Sequence, residues 1–339
     1  MFGTLLGSLP RPMAGDGSAL TDNDAAVVAA LEAQSSAGLD PLTDGRLRER
    51  GPFGAIDGLG GLTPTRDGPR LDRLPMWETG MTIGSWKFAA DHADRIVKQA
   101  LPGPYTLGRR LGAGDPEITV AFARALRMEV LALAEAGCLL VEIEERDAHL
   151  IGDDEDERRR FREAHEILLD GVGGVHCSLA IIGGNADSAG IETILSAPYP
   201  SLAVDLIDGP DNWRLVTLTP GDRGIVCGAV STRHPSDDGP ELLLWAGAYA
   251  ASSGGRGTAR VGLATAGDLD GLSWPVAVDK MTALGHAVRL AQMPPEEAAH
   301  HLDPRSLDIR SAALGRYAPA KPRRPRRSLP LADDSQNSR

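Results

Sequence analysis

The stretch DPEITVAFARALRMEVLALAEAGCLLVEIEE, residues 115–145, sets a helix and a strand end to end. Apolar residues recur at i, i+3 and i+4 from Ile118 to Leu133, with Asp115 placed to cap the helix and Gly137 to stop it. CLLVEIE (138–144) follows, a short aliphatic run without strict polar alternation. Strands buried on both faces read this way. A helix feeding such a strand is the unit of a parallel α/β sheet.

The unit repeats along the chain. Further strands are expected at FGTLLG (2–7), GLDPLTD (38–44), GPYTLG (103–108), GGVHCSLAI (173–181), LAVDLID (202–208), GIVCGAV (224–230) and ARVGLAT (259–265). Helices are expected near 24–37, 154–172, 238–253 and 273–293. The helix at 154–172 starts acidic and turns basic, as the helix dipole favours. Eight strands alternating with helices predict an α/β fold, a single (β/α)8 TIM barrel over 1–318. A doubly wound open sheet is the alternative, but no GxGxxG follows the first strand. The Gly-, Pro- and Arg-rich segment 46–99, after the second strand, is too long for a simple loop and is expected to cover the barrel mouth. Its Trp77 and Trp86 either stack on a flat ring or pin the segment to the barrel. Residues 319–339 read as a disordered basic and polar tail.

Composition narrows the function. Lys and Arg number 35 against 47 Asp and Glu, a net charge of −12, which disfavours nucleic acid and anionic membrane surfaces as partners. No apolar run approaches the length of a membrane span. The N-terminus lacks the pattern of a secretory signal. Three widely spaced cysteines give no disulfide framework and fit a reducing, cytoplasmic setting. The sequence leaves the oligomeric state open.

Chemistry in such barrels sits at the C-terminal ends of the strands. There the reading collects Gly7 and Ser8, Asp44 and Arg46, Arg109 and Arg110, Glu142, Glu144 and Glu145, His176 and Cys177, Asp205 and Asp208, Ser231, Arg233 and His234, and Thr265 and Asp268. Mixed acids and arginines point to a polar, zwitterionic or anionic small-molecule substrate, or else to an ion-pair lattice closing the barrel. Glu144 and Glu145 are strand neighbours, so only one faces the mouth, and the other is expected to pair with an arginine. Cys138 and Cys227 read as packed thiols. His149, His165, His300 and His301 read as surface or helix-face residues.

Several segments, in order, resemble the cobalamin-independent methionine synthases: GSLPRP, AGLDPLTDGRLRE, LPGPYTL, AGCLLVEIEE and GLATAGDLDGLSWPVAVDKMTAL. The likeness covers their catalytic C-terminal barrel, as in a divergent short form. It implies methyl transfer from methyltetrahydrofolate, a folate co-substrate, to a thiol such as homocysteine, in methionine biosynthesis. It also implies a zinc ion that binds the thiol as thiolate. By that resemblance Gly7 and Ser8 hold the amino-acid substrate, and Glu144 stands where an acid receives its ammonium group.

The family takes its zinc ligands from an H-x-C, a Glu and a late Cys. Here Cys177 matches the first cysteine, His176 is displaced by one residue, Asp205 replaces the Glu, and Gly267 stands at the late Cys. Cys177, Asp205 and His176 are therefore an incomplete metal set. Arg46 reverses an acid, Arg146 replaces a proline, and Arg233 replaces a histidine, with His234 beside it. Glu144 and His234 are the candidate catalytic groups. Substrate contacts are assigned to Gly7, Ser8, Asp44, Glu144, Arg46, Arg110 and Arg233. Two other readings stay open. One is a metal-free lyase or decarboxylase of the uroporphyrinogen decarboxylase type, its carboxylates bound by Arg46, Arg110 and Arg233. The other is a non-catalytic small-molecule-binding barrel.

Overall fold

In the computed structural model the 115–145 stretch is helix α4 (Pro116–Glu135) running into strand β5 (Leu140–Glu145). Asp115 caps the helix, its carboxylate accepting the Glu117 N–H at 2.8 Å. The structure describes residues 1–49, 53, 56–66, 68–235 and 239–302, so the expectation for the 319–339 tail lies outside the described residues.

The elements run β1 (Phe2–Thr4), α1 (Asn23–Ala37), β2 (Leu59–Thr65), β3 (Gly68–Trp77), α2 (Ile83–His92), β4 (Gln99–Pro102), α3 (Pro104–Gly112), then α4 and β5. They continue α5 (Glu155–Leu169), β6 (His176–Ile181), α6 (Ile191–Ile194), β7 (Ser201–Asp205), α7 (Trp213–Leu218), β8 (Gly224–Val230), α8 (Pro240–Ser252), β9 (Val261–Thr265), α9 (Trp274–Gln292) and α10 (Pro295–Ala298). Among the described residues seven strands form one parallel sheet, in the order β1-β9-β8-β7-β6-β5-β4. The fold is α/β and TIM-barrel-like.

Alternation along the strands divides the core in two. Ala180, Ile182, Ala203, Val226 and Ala264 pack with Leu6 inside the curl of the sheet. Their neighbours Leu179, Ile181, Leu202, Val204, Ile225 and Leu263 belong to the larger core beneath the helices, with Phe122, Leu126 and Phe161. The inner side chains are mostly small, as a tightly curled sheet requires.

Three expectations change. GPYTLG is helix, not strand: Pro104 occupies the first turn of α3, where its missing N–H costs nothing, and the strand lies just before it at 99–102. Segment 38–44 forms no strand. It joins β1 to β4 through single bridges, with Asp40 N–H to Gly3 O at 2.8 Å, Leu42 N–H to Ile96 O at 2.8 Å and Lys98 N–H to Leu42 O at 2.9 Å. Pro41 has no N–H to give to a ladder.

The 46–99 segment does not lie over the mouth as a whole. Its β2–β3 hairpin and the start of α2 are tied to α4. The buried Glu129 carboxylate accepts the Trp77 indole N–H at 2.8 Å, the Met81 N–H at 2.9 Å, and the Thr82 N–H and hydroxyl at 2.7 and 2.9 Å. A buried carboxylate needs such donors, and they come from this segment. Trp86 donates to Val97 O at 3.1 Å. Both tryptophans therefore pin the segment. Among the described residues of the segment, Arg46, Leu47 and Glu49 line the mouth cavity.

Candidate active site at the C-terminal ends of the strands

A cavity of about 850 Å3 opens at the C-terminal ends of the strands. Its floor is an ion network drawn from four chain segments. Glu144, at the end of β5, is 1% exposed; it accepts from Arg46 at 2.7 Å, from Arg146 at 2.8 Å and from the Gly7 N–H at 3.2 Å. Arg146 also holds Asp268, donating from both terminal nitrogens, one at 2.9 Å. Asp268 in turn accepts the Ser8 N–H at 2.7 Å and the Ser8 hydroxyl at 2.8 Å. Arg46 reaches outward to Glu49 at 2.7 Å. Gly7 needs to be glycine: its φ is +74°, and a Cβ there would lie 2.4 Å from an Asp268 carboxylate oxygen.

These surroundings sort the carboxylates by proton affinity. Burial works to raise Glu144, but Arg146 and Arg46 outweigh it and hold the acid below its ordinary value. Asp268 likewise resists burial through Arg146 and Ser8 and falls to about 2. Asp44 and Asp205 are raised by burial. Glu49 is pushed up to about 7, first by burial and then by Asp44 and Glu144, against the pull of Arg46.

The structure gathers part of the expected site. Ser8, Arg46, Arg110, Asp205 and Arg233 line the cavity; Gly7 and Glu144 form its floor through the network above. Arg110 is paired with Asp147 at 3.0 and 2.6 Å, and Arg233 with Asp208 at 2.9 Å, both toward the rim. Asp44 is buried behind Arg46. One of its oxygens accepts the Arg46 N–H at 2.9 Å, and the other has no partner among the described residues. His234 is exposed and lies outside the cavity lining, which corrects its place as a catalytic candidate.

The metal candidates separate. His176 is the first residue of β6, at the end of the sheet opposite the mouth, with its ring 2.8 Å from the Ser201 hydroxyl. Cys177 points to the outer face of the sheet, into the core beneath the helices, and burial pushes its thiol up to about 12. Asp205 is held by three backbone N–H groups, those of Gly183, Ile207 and Asp208, at 2.9–3.1 Å. The inward positions of this strand run through Ala180 to Ile182, so an H-x-C aimed at the mouth would occupy 180 and 182. A Cβ on Gly267 would lie 3.0 Å from an Ile182 methyl. The two places that would supply cysteines thus adjoin, and an isoleucine packed over a glycine fills them. These residues do not fit zinc. Among the described residues no cluster of three His, Cys, Asp or Glu side chains could hold a metal.

Sequence reading missed three groups. Glu49 is signalled only by its three-residue spacing from Arg46. His149 lines the cavity, with its Nδ1 buried and unpartnered among the described residues. His165 is buried between Tyr199, 2.8 Å away, and Glu145, 3.0 Å away. Among the described residues no arginine pairs with Glu145. It accepts the N–H groups of Tyr105 and Thr106 at 2.9 and 2.8 Å, capping α3 at its N-terminus.

No known family profile matches the chain, and no curated protein matches it. Solved structures do. A B12-independent methionine synthase from Shewanella sp. W3-18-1, in complex with selenomethionine, superposes with a TM-score of 0.71 at 18% identity, over 85% of this chain and 97% of that one. The fold is theirs. A protein from Listeria monocytogenes assigned as a vitamin-B12 independent methionine synthase gives 0.68 at 17% identity, over 86% and 96%. A methyltransferase from Methanosarcina mazei gives 0.55 at 14% identity, over 84% and 92%. The methionine synthase barrels thus share this architecture along nearly their whole length. Among the described residues no helix is long and apolar enough to cross a membrane.

Proposed function

We propose that this chain is a methyltransferase of small molecules, moving a methyl group from a methyltetrahydrofolate-type donor to a thiol such as homocysteine. The reaction takes place at the mouth of the barrel and does not use a metal held by Cys177. The observation that carries this reading is the network Ser8–Asp268–Arg146–Glu144–Arg46. It is placed where this fold conducts chemistry and opens on a cavity large enough for a flat co-substrate together with a small acceptor. The fold shared with two methionine synthase structures and a methyltransferase supports it. The chain is read as a cytoplasmic enzyme with no nucleic-acid or membrane partner.

The test is transfer of labelled methyl from methyltetrahydrofolate to homocysteine by the purified chain, with and without added zinc. Methionine formed in the presence of a chelator supports the reading; formation only with zinc, lost in Cys177→Ala, overturns its metal-free part. A second reading, a metal-free decarboxylase or lyase on a polycarboxylate, draws on the arginines around the mouth, Arg11, Arg46, Arg110, Arg146 and Arg233. It gains if no methyl moves and a polycarboxylate is bound between Arg46 and Arg233.

A further inference from the structure

Most acids around the mouth are committed. Glu144 is held by two guanidinium groups and a backbone N–H, and Asp268 by Arg146 and Ser8. Asp147 is held by Arg110, Asp208 by Arg233, and Asp205 by three backbone N–H groups. Glu49 differs. It lines the cavity with a side chain 9% exposed, and its single hydrogen bond among the described residues is from Arg46 to Oε2. None of the described residues hydrogen-bonds Oε1. Arg46, Asp44 and Glu144 are the charged groups that face it.

We infer that Glu49 is the proton-exchanging carboxylate of the mouth site, taking the proton of the acceptor thiol and returning it to the donor. The inference rests on the methyl-transfer reading and supplies the acceptor activation that a thiolate-binding metal would otherwise give. The steps balance. The S–H bond breaks and its proton passes to Glu49. The sulfur lone pair forms the S–CH3 bond as the C–N bond of the donor breaks. The electron pair left on that nitrogen takes the proton back from Glu49, so the carboxylate is regenerated. A group that titrates near neutrality suits both halves, since it gives and takes the proton at little cost. Glu144 and Asp268 are held ionised and cannot serve.

Two measurements test this. In the first, methyl transfer is followed from pH 5.5 to 9 in wild type, Glu49→Gln and Glu49→Asp. Wild-type kcat should rise with pH through an inflection near 7. Glu49→Gln should lose at least ~100-fold and lose the inflection, with homocysteine affinity unchanged, and Glu49→Asp should keep the inflection. A Glu49→Gln enzyme within threefold of wild type, or with the same pH profile, overturns the proposal. The second needs no substrate: 13C NMR of labelled glutamate carboxyls across the same pH range. A resonance that titrates near neutrality and is absent from Glu49→Gln is expected, and its absence from wild type overturns the proposal. If that resonance is present but wild type transfers no methyl, the methyl-transfer reading fails and the step assigned to Glu49 falls with it, while the near-neutral titration of Glu49 stands as a separate result. Glu49→Gln should also be at least as stable as wild type at pH 8.5, because a neutral side chain replaces a buried charge, so its lost activity is not lost folding.

Discussion

Glu144→Gln tests whether the floor of the mouth is held by charge. The substitution keeps the shape of the side chain but removes its charge and turns one acceptor into an N–H2 donor. That donor then faces the Arg46 and Arg146 guanidinium groups, now 2.7 and 2.8 Å away as hydrogen-bond donors themselves. A hydrogen bond to a charged group contributes about 1.5–3 kcal/mol, and removing one partner of a buried pair costs about 3–5. Here the two arginines are 10% and 20% exposed and keep Glu49 and Asp268, so the cost falls at the low end, about 3 kcal/mol. For a chain of this length that corresponds to a fall in Tm of about 4 °C. The sign with pH follows from the lowered acid: its stabilisation is present above the ordinary glutamate pKa and fades as pH falls through the folded value. The difference between Glu144→Gln and wild type is therefore largest at pH 7 and narrows below pH ~4. Urea denaturation at pH 7 and at the lowest pH where wild type folds measures both. A loss under about 1 kcal/mol at pH 7, or one that does not shrink with acid, refutes the reasoning.

Four further outcomes follow from the same geometry. Gly7→Ala forces a side chain at φ +74° against the Asp268 carboxylate and should cost at least about 2 kcal/mol by denaturation. Because Glu144 is already neutralised by two guanidinium groups, an acceptor's ammonium gains little there; homocysteine and 4-mercaptobutyrate should bind within threefold of each other by calorimetry. All three cysteines are buried and their thiols are pushed up to about 11 or 12, so the native protein should react with a thiol reagent no faster than it unfolds. Cys177→Ser should accordingly leave the metal content of the purified protein unchanged.

The parallel sheet was legible because its signal is collective. Doubly buried strands, each following an amphipathic helix, repeat along the chain, and a boundary error of two residues does not disturb the pattern. The errors fell where backbone chemistry is local. Pro104 turns an apolar run into helix, and Pro41 leaves segment 38–44 without a ladder. The outward hairpin was not legible either. Its docking depends on Glu129 of α4, one acid among many on a helix surface until its four donors are seen. Residue types at strand ends were enough to place Ser8, Arg46, Glu144 and Asp268 at the mouth. They were not enough for Cys177. Facing is set by register, and alternation means that a one-residue displacement moves a side chain to the opposite face. Reading 173–181 as one strand put Cys177 at the mouth; a strand that begins at His176 and continues inward through Ala180 and Ile182 puts it under the helices.

The departures from the methionine synthase pattern look independent in sequence and are coupled in space. Arg46, where that pattern has an acid, and Arg146, where it has a proline, both close on the same Glu144 carboxylate. Two guanidinium groups on one buried acid leave a surplus positive charge, which Glu49 and Asp268 offset from the outer sides. Beside this network Ile182 lies against Gly267, an apolar contact that calls for no charge at all. The network thus runs from Ser8 through Glu144 to Arg46, with the buried Glu49 carboxylate at its edge facing the cavity. Arg46 and the raised acid Glu49 are three residues apart in the chain and 2.7 Å apart in the fold, so a change of charge at either is felt at the other.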